Sequence, residues 1–97
     1  MMILKNGSRP LMWSQGLGGG SSRNFIGTVL AQWDKLHPFV VWDMASDDGD
    51  KWDTYNGTYC ETLEEATDVF QKKTGTDYQR QAEALATQMR IERNLNV

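Results

Sequence analysis

The stretch VVWDMASDDGDKWDTY, residues 40–55, holds two apolar runs that flank a turn containing three aspartates. Valine, tryptophan and tyrosine favour β-strands, and Asp48-Gly49 is a residue pair typical of two-residue hairpin loops. The sequence therefore predicts a β-hairpin whose loop consists of these two residues. In that register Trp42 lies opposite Tyr55 on the neighbouring strand.

The segments around this turn have the composition of three successive strands. FIGTVLAQW (residues 25–33) lies one short loop before PFVVWDMA (residues 38–45), and KWDTYNGTYC (residues 51–60) forms the last arm. Short turns between such runs favour antiparallel neighbours. We therefore expect a three-stranded antiparallel β-meander.

The amino-terminal part of the chain has weaker signals. MILKNGSRPLMW (residues 2–13) contains Asn6-Gly7 between apolar runs, which predicts a short hairpin. Pro10 lacks an N–H donor, so the second arm is expected at a sheet edge or irregular. Residues 14–23, SQGLGGGSSR, are rich in glycine and serine and predict a flexible loop.

The pattern changes to a helical period after residue 61. Thr62 and Glu65 form a capping box, and Gly75 after two lysines is typical of a helix end. These signals predict a helix from Leu63 to Thr74. A second capping signature at Thr76 opens another helix, whose apolar stripe is thin. The predicted fold class is α+β, with the three-stranded meander followed by two helices.

Length and composition point to a single domain. Ninety-seven residues, 39% hydrophobic and 24% charged, are sufficient for one core, so residues 1–97 are expected to fold as one unit. The lone cysteine, Cys60, cannot form an internal disulfide. No basic and apolar leader precedes the domain, and no apolar run approaches the ~18 residues that span a bilayer. These features predict a cytoplasmic protein without a membrane role.

The net charge of −3 conceals a strong asymmetry along the chain. Residues 43–68 contain nine acids and one base, Lys51, and so carry a charge of −8. The first 35 residues carry +3 and residues 69–97 carry +2. If the acids share one face, that face attracts a cationic partner over a Debye length of ~8–10 Å. The alternative is an ordinary solvated surface.

The predicted sheet has two apolar faces. One carries Phe25, Val29, Ala31, Trp33, Phe39, Val41 and Trp52, and the other Ile26, Leu30, Val40, Trp42, Met44 and Tyr55. An antiparallel sheet usually exposes one face to water, and a single amphipathic helix covers only one. The second face therefore needs the C-terminal helix or the N-terminal arm, a bulge that reassigns it, or a partner protein.

Aromatic rings beside carboxylates are typical of protein-binding surfaces, because rings supply buried area and carboxylates orient a basic partner. The alternative is that Trp33, Trp42 and Trp52 are core residues. On the binding hypothesis the contact residues are Trp42, Asp43, Asp47, Asp48, Asp50, Trp52, Asp53, Tyr55, Glu61, Glu64, Glu65 and Asp68.

Chemical sites have little support in the sequence. The predicted hairpin places His37 opposite Cys60, the minimum pair for a thiol nucleophile, but no third orienting group can be identified. With Gly49 at the glycine position of a calcium loop, three of the four ligand positions tested fail. GLGGGSS lacks the lysine of a phosphate loop. We therefore expect no catalytic residue, no metal and no cofactor.

Direct nucleic-acid binding is also not expected, because the basic residues are few and scattered. In size and charge, the chain is similar to small phage or mobile-element inhibitors of nucleic-acid-handling enzymes, anti-CRISPR proteins among them. That resemblance implies a non-enzymatic DNA mimic that docks on a basic, nucleic-acid-binding partner. The alternatives are a homo-oligomeric structural or accessory protein, including a homodimer, and a small Cys-His thiol enzyme.

Overall fold

The structure is a computed structural model that describes residues 2–17, 23–75 and 79–95. Five strands precede two helices along the chain. They are β1 (Ile3–Leu4), β2 (Arg9–Leu17), β3 (Phe25–Gln32), β4 (Phe39–Ser46), β5 (Lys51–Cys60), α1 (Leu63–Thr74) and α2 (Gln79–Leu95).

All five strands form one sheet in the order β1-β5-β4-β3-β2. β1 pairs in parallel with β5, and the other pairs are antiparallel. From Leu4 to Arg9 the chain can span about 17 Å at most, whereas the edges of a flat five-stranded sheet lie about 19 Å apart. Gly7 N also donates to Leu4 O (2.9 Å), which shortens this connection further. The sheet must therefore curl, and it forms a half-barrel.

The predicted three-stranded meander is wrong, because the sheet has five strands of mixed direction. Strands β3, β4 and β5 are consecutive antiparallel neighbours, but the N-terminal segment adds a strand at each edge. The turn at Asn6-Gly7 forms, with Gly7 at φ 84°, yet its arms pair with β5 and β3 instead of with each other. As expected, β2 is an edge strand, and its register shifts between Pro10 and Met12.

The predicted loop over residues 14–23 begins too early. Strand β2 continues to Leu17, and Ser14 and Gly16 pair with Thr28 and Ile26 of β3. Sheet hydrogen bonds use only backbone atoms, so a segment with small side chains can still complete an edge. Residues 18–22 of the predicted loop lie outside the described residues, and Arg23, its last residue, precedes strand β3.

The β4–β5 register also differs from the prediction. Asp43, and not Trp42, lies opposite Tyr55. The connection spans four residues, Asp47 to Asp50, because side chains build the turn: Ser46 Oγ accepts from Gly49 N (2.9 Å) and donates to Lys51 O (2.6 Å). Counting residues along the sequence does not reveal these side-chain hydrogen bonds.

A bulge shifts the register again farther along the hairpin. The pairing moves by one residue between Val41 and Asp43, and Asn56 adopts a positive φ of 51°. Cys60 consequently lies opposite Phe39 and not opposite His37. The predicted Cys-His pair is therefore wrong.

Each face of the sheet carries its own core. The concave face buries Leu4, Val29, Ala31, Val40, Trp42, Met44 and Trp52, with Met2 and Phe25 beside them. The convex face buries Met12, Leu30, Val41 and Cys60 against Ala66, Phe70 and Ala82 of the helices. The predicted division of β4 between the faces is wrong, since Val40, Trp42 and Met44 lie with Val29 and Ala31. Two apolar faces were expected. The curl of the sheet, together with β1, covers the concave face, and the helices cover the convex face.

Helix α1 has the predicted bounds. Thr62 Oγ1 accepts from Glu65 N (3.1 Å), and Gly75 ends the helix at φ 70°. Ala66 and Phe70 of this helix are buried against the sheet. The capping signature at Thr76 lies outside the described residues, while α2 contributes Ala82 to the convex core. Within the described part of the chain, neither helix has both the length and the apolar character needed to cross a membrane.

Candidate partner-binding surfaces

The two tryptophans predicted to contact a partner are core residues. Trp52 is fully buried and Trp42 is 5% exposed. Trp52 Nε1 donates to Gly49 O (3.1 Å), and Trp42 meets Trp33 edge-on with ring centroids 5.2 Å apart. The hydrophobicity of a strand residue does not indicate which face of a curled sheet will be buried. Neither indole offers a surface to a partner in this structure.

Other aromatic side chains are exposed instead. Tyr55 is one of the predicted contact residues, and it lies at the surface with 46% of its area exposed. Trp13 on β2, Trp33 after β3 and Tyr59 on β5 are 44%, 38% and 53% exposed. Trp13 was not among the predicted contact residues. The available signal was its position three residues after Pro10, because a proline indicates an edge strand.

The aspartates of the hairpin form one group, which we name the tip acids: Asp47, Asp48, Asp50 and Asp53. Arg23 Nε lies 2.7 Å from Asp47 Oδ1, and its Nη2 lies 2.9 Å from Asp53 Oδ2. Lys5 Nζ also lies 3.2 Å from Asp53 Oδ1. Hydrogen bonds from Arg23 and then Lys5 lower the pKa of Asp53. Cations distant in sequence thus neutralise much of this group.

Asp48 has a structural role in the turn. Its Oδ1 accepts from Lys51 N (2.9 Å) and Asp50 N (2.8 Å), and the Ser46 hydroxyl lies 3.1 Å away. The Lys51 amide, followed by that of Asp50 and the Ser46 hydroxyl, lowers the pKa of Asp48 to about 2. These bonds favour the charged carboxylate and fix the turn.

The Asp48 carboxylate is expected to make stability depend on pH. Its pKa is lower in the folded protein, about 2, than in an unfolded chain, ~3.9. Its contribution is therefore present above about pH 4 and lost as pH falls through about 2. Asp48→Asn should lower the melting temperature most at pH 5, and the difference from the native protein should shrink towards pH 2. Thermal melts across this range measure it.

A matched control is Glu61→Gln, which removes an exposed carboxylate outside the turn. The melting temperature of this variant should stay close to that of the native protein at every pH in the series. A difference for Asp48→Asn that is constant from pH 5 to pH 2 would contradict the proposed role of the charge.

Two further predicted contact residues are paired with lysines of α1. Asp43 Oδ1 lies 3.0 Å from Lys73 Nζ, and Asn56 Nδ2 donates to its other oxygen (3.3 Å). Asp68 Oδ2 lies 2.9 Å from Lys72 Nζ, one helical turn along. Asp43 therefore joins the helix to the sheet, whereas Asp68 remains at the helix surface.

Four of the predicted acidic contact residues lie just before α1 or in its first two turns, and we name them the helix acids: Glu61, Glu64, Glu65 and Asp68. Among the described residues, the first three are exposed and have no ion pair within 4 Å, so Lys72 is the one cation that pairs with the group. Unlike the tip acids, the group keeps most of its negative charge.

A groove lies beside the helix acids, between α1 and α2. Its volume is about 850 Å³. Leu63, Ala82 and Ala86 contribute apolar surface to it, while Glu64, Glu65 and Asp68 lie along one side. Such a groove can accept an apolar side chain while the carboxylates contact neighbouring cations.

The predicted single acidic face is divided in two. The tip acids lie around the start of β5, and the helix acids follow its end. Because a strand rises ~3.3 Å per residue, the ten residues of β5 separate the groups by about 30 Å. A small partner can contact one group but not both.

The structure separates Cys60 from His37, the two residues of the predicted thiol pair. Cys60 is buried on the convex face, and burial followed by the charge of Glu65 raises the pKa of its thiol. The ring of His37 packs against Tyr59, 5.2 Å between centroids, on the opposite side of the strand from Cys60. Within the described ranges, no three acidic, histidine or cysteine side chains are grouped as metal ligands.

Comparison of the chain with protein-family models, with curated proteins and with solved structures finds no match. Functional inference therefore depends on the surfaces of the molecule itself.

Proposed function

We propose that this protein is a non-enzymatic binding module that holds a basic segment of a partner protein along the groove between α1 and α2. The observation that supports the proposal is the position of Glu64 and Glu65 on this groove, without an ion pair to any described residue. Charges that are not neutralised internally remain able to pair with a partner. Opposite charge also raises the rate of encounter.

The chemistry of the groove defines the partner. Carboxylates at positions 64, 65 and 68 lie within one helical turn of each other and form a compact row of negative charge. A protein surface that normally binds phosphates carries arginine and lysine in clusters that fit such a row. The partner class that we propose is therefore a nucleic-acid-handling protein, which this module inhibits by occupying its basic surface. A phage or mobile-element inhibitor acting as a DNA mimic, as some anti-CRISPR proteins do, is the corresponding biological role.

A cytoplasmic location is part of the same proposal. Cys60 is a free, buried cysteine, and its thiol needs no oxidising compartment.

Removing charge from the helix acids should weaken binding of a basic probe. With a fluorescein-labelled nona-arginine peptide at about 50 mM salt, where screening is weak, Glu64→Gln with Glu65→Gln should raise Kd about fivefold, because two favourable charge pairs of modest strength are lost. The difference should shrink at about 200 mM salt, since the Debye length shortens. Fluorescence anisotropy measures both values.

The matched control removes two charges at the other end of β5, through Asp47→Asn with Asp50→Asn. The net charge changes equally in both variants, so a general electrostatic effect would weaken both to the same degree. Equal losses, or a larger loss in the control, would contradict the assignment of the binding surface to the α1–α2 groove.

A further inference from the structure

The outer edge of β2 has the properties of a strand-pairing site. β2 is nine residues long and is the last strand of the sheet, paired on one side with β3. Among the described residues, no backbone hydrogen bond joins its other side to another element over Trp13 to Leu17. An unpaired row of N–H and C=O groups is a template for another strand.

The orientation of the backbone identifies which groups face outward. A Cβ added to Gly27 of β3 would collide with the carbonyl oxygen of Ser14, so that carbonyl points towards β3. The N–H and C=O of one residue in an antiparallel strand point to the same side, and successive residues alternate. Trp13 and Gln15 therefore direct both of their backbone groups away from the sheet.

After its first residues, this edge lacks the usual protection against pairing. Natural edge strands commonly carry lysines, prolines or bulges that prevent association. β2 has Arg9, Pro10 and a register shift at its start, but residues 11–17 contain no charged side chain and no proline. Trp13, which is 44% exposed, lies within this stretch.

We propose that two copies of this protein associate by antiparallel pairing of their β2 edges. With the symmetry axis at Ser14, Trp13 of one copy lies opposite Gln15 of the second copy. Both are outward-facing residues, so the two equivalent pairs form four hydrogen bonds. The stretch is uncharged, so no like charges meet directly across the paired edges.

The side chains also fit this arrangement. Trp13 pairs with Val29, and so lies on the concave side of the sheet. In the symmetric pairing the two Trp13 side chains are diagonal neighbours at ~7 Å, a distance that aromatic rings can bridge. A strand pair of this length buries less than the ~1,200 Å² of a stable interface. The dimer is therefore weak and concentration-dependent.

The test compares native protein with Gln15→Pro and Gln15→Thr by sedimentation velocity from about 10 µM to 1 mM. Proline at position 15 removes an outward donor without removing a bond to β3, and should weaken dimer formation about tenfold or more. Threonine keeps the N–H donor and should leave dimer formation unchanged. Circular dichroism spectra establish that each variant is folded.

A second readout keeps the test decisive if proline disturbs the fold. The amide protons of Trp13 and Gln15 should exchange rapidly in dilute native protein and become protected as concentration rises, whereas that of Ser14 should be protected throughout. Trp13→Lys, which keeps the backbone intact, should prevent the change. Native protein that is monomeric at 1 mM, or association without protection of these amides, would overturn the proposal.

Discussion

Replacing Trp52 with alanine is expected to lower the free energy of unfolding by about 3–5 kcal/mol, among the largest effects of a single substitution in a core. The indole is fully buried, its ring centroid lies 6.4 Å from that of Phe25, and its Nε1 donates to Gly49 O. Alanine would leave a cavity on the concave face and an unpaired carbonyl at the hairpin turn. Urea unfolding followed by circular dichroism measures the loss.

Trp13→Ala is the matched control, because the same atoms are removed at a site that is 44% exposed. At low micromolar concentration, we expect this change to cost about 1–2 kcal/mol, less than Trp52→Ala, because nearly half of the Trp13 side chain is already in water and no enclosed cavity is left. A small effect of Trp52→Ala, similar to that of the control, would show that Trp52 is not part of the core.

Gly27→Ala should have the second-largest effect, a loss of about 2–3 kcal/mol, as in overpacked sites. The added methyl group would meet the Ser14 carbonyl oxygen, which belongs to the backbone of β2 and cannot rotate away. It would also lie 2.9 Å from Met44 Cε. Relief requires β2 to separate from β3 along part of the strand pair. Urea unfolding midpoints give the size of the effect.

Gly16→Ala provides the comparison within the same strand pair. A methyl group there meets nothing within 4 Å, and its backbone is not in the left-handed region. This variant should be as stable as the native protein, or slightly more stable because alanine restricts the unfolded chain. If both alanine variants have the same stability, the close approach of β2 and β3 at Gly27 is not a constraint.

The helix α1 was predictable because all of its signals are local. Thr62, Glu65 and Gly75 lie within one turn of the helix ends that they define, and they act through backbone groups nearby. The hairpin register was not predictable, because it depends on a turn built by Ser46 and on a bulge near Asn56. Neither the turn nor the bulge changes the alternation of apolar residues enough to be identified from the sequence.

The distribution of charge on the surface was also only partly predictable from the sequence. Counting along the chain identified an acidic segment, but Arg23 and Lys5, from outside that segment, lie against its aspartates. The sheet divides the remaining acids between two ends of β5. Local sequence therefore predicts how much charge a segment carries, while the fold determines where that charge is left without a partner.

The parallel pairing of β1 with β5 constrains the order in which the chain can fold. Ile3 pairs with Lys51, and Asn6 Nδ2 donates to Thr54 Oγ1 across 48 residues of sequence. Closing so long a loop costs conformational entropy before any contact forms. During synthesis, residues 3–6 emerge before residues 51–54 and have no strand to join until the β4–β5 hairpin has left the ribosome. Residues 3–6 are therefore placed only after a strand about 48 residues later in the chain is available, and the concave core is sealed only after translation has passed Thr54.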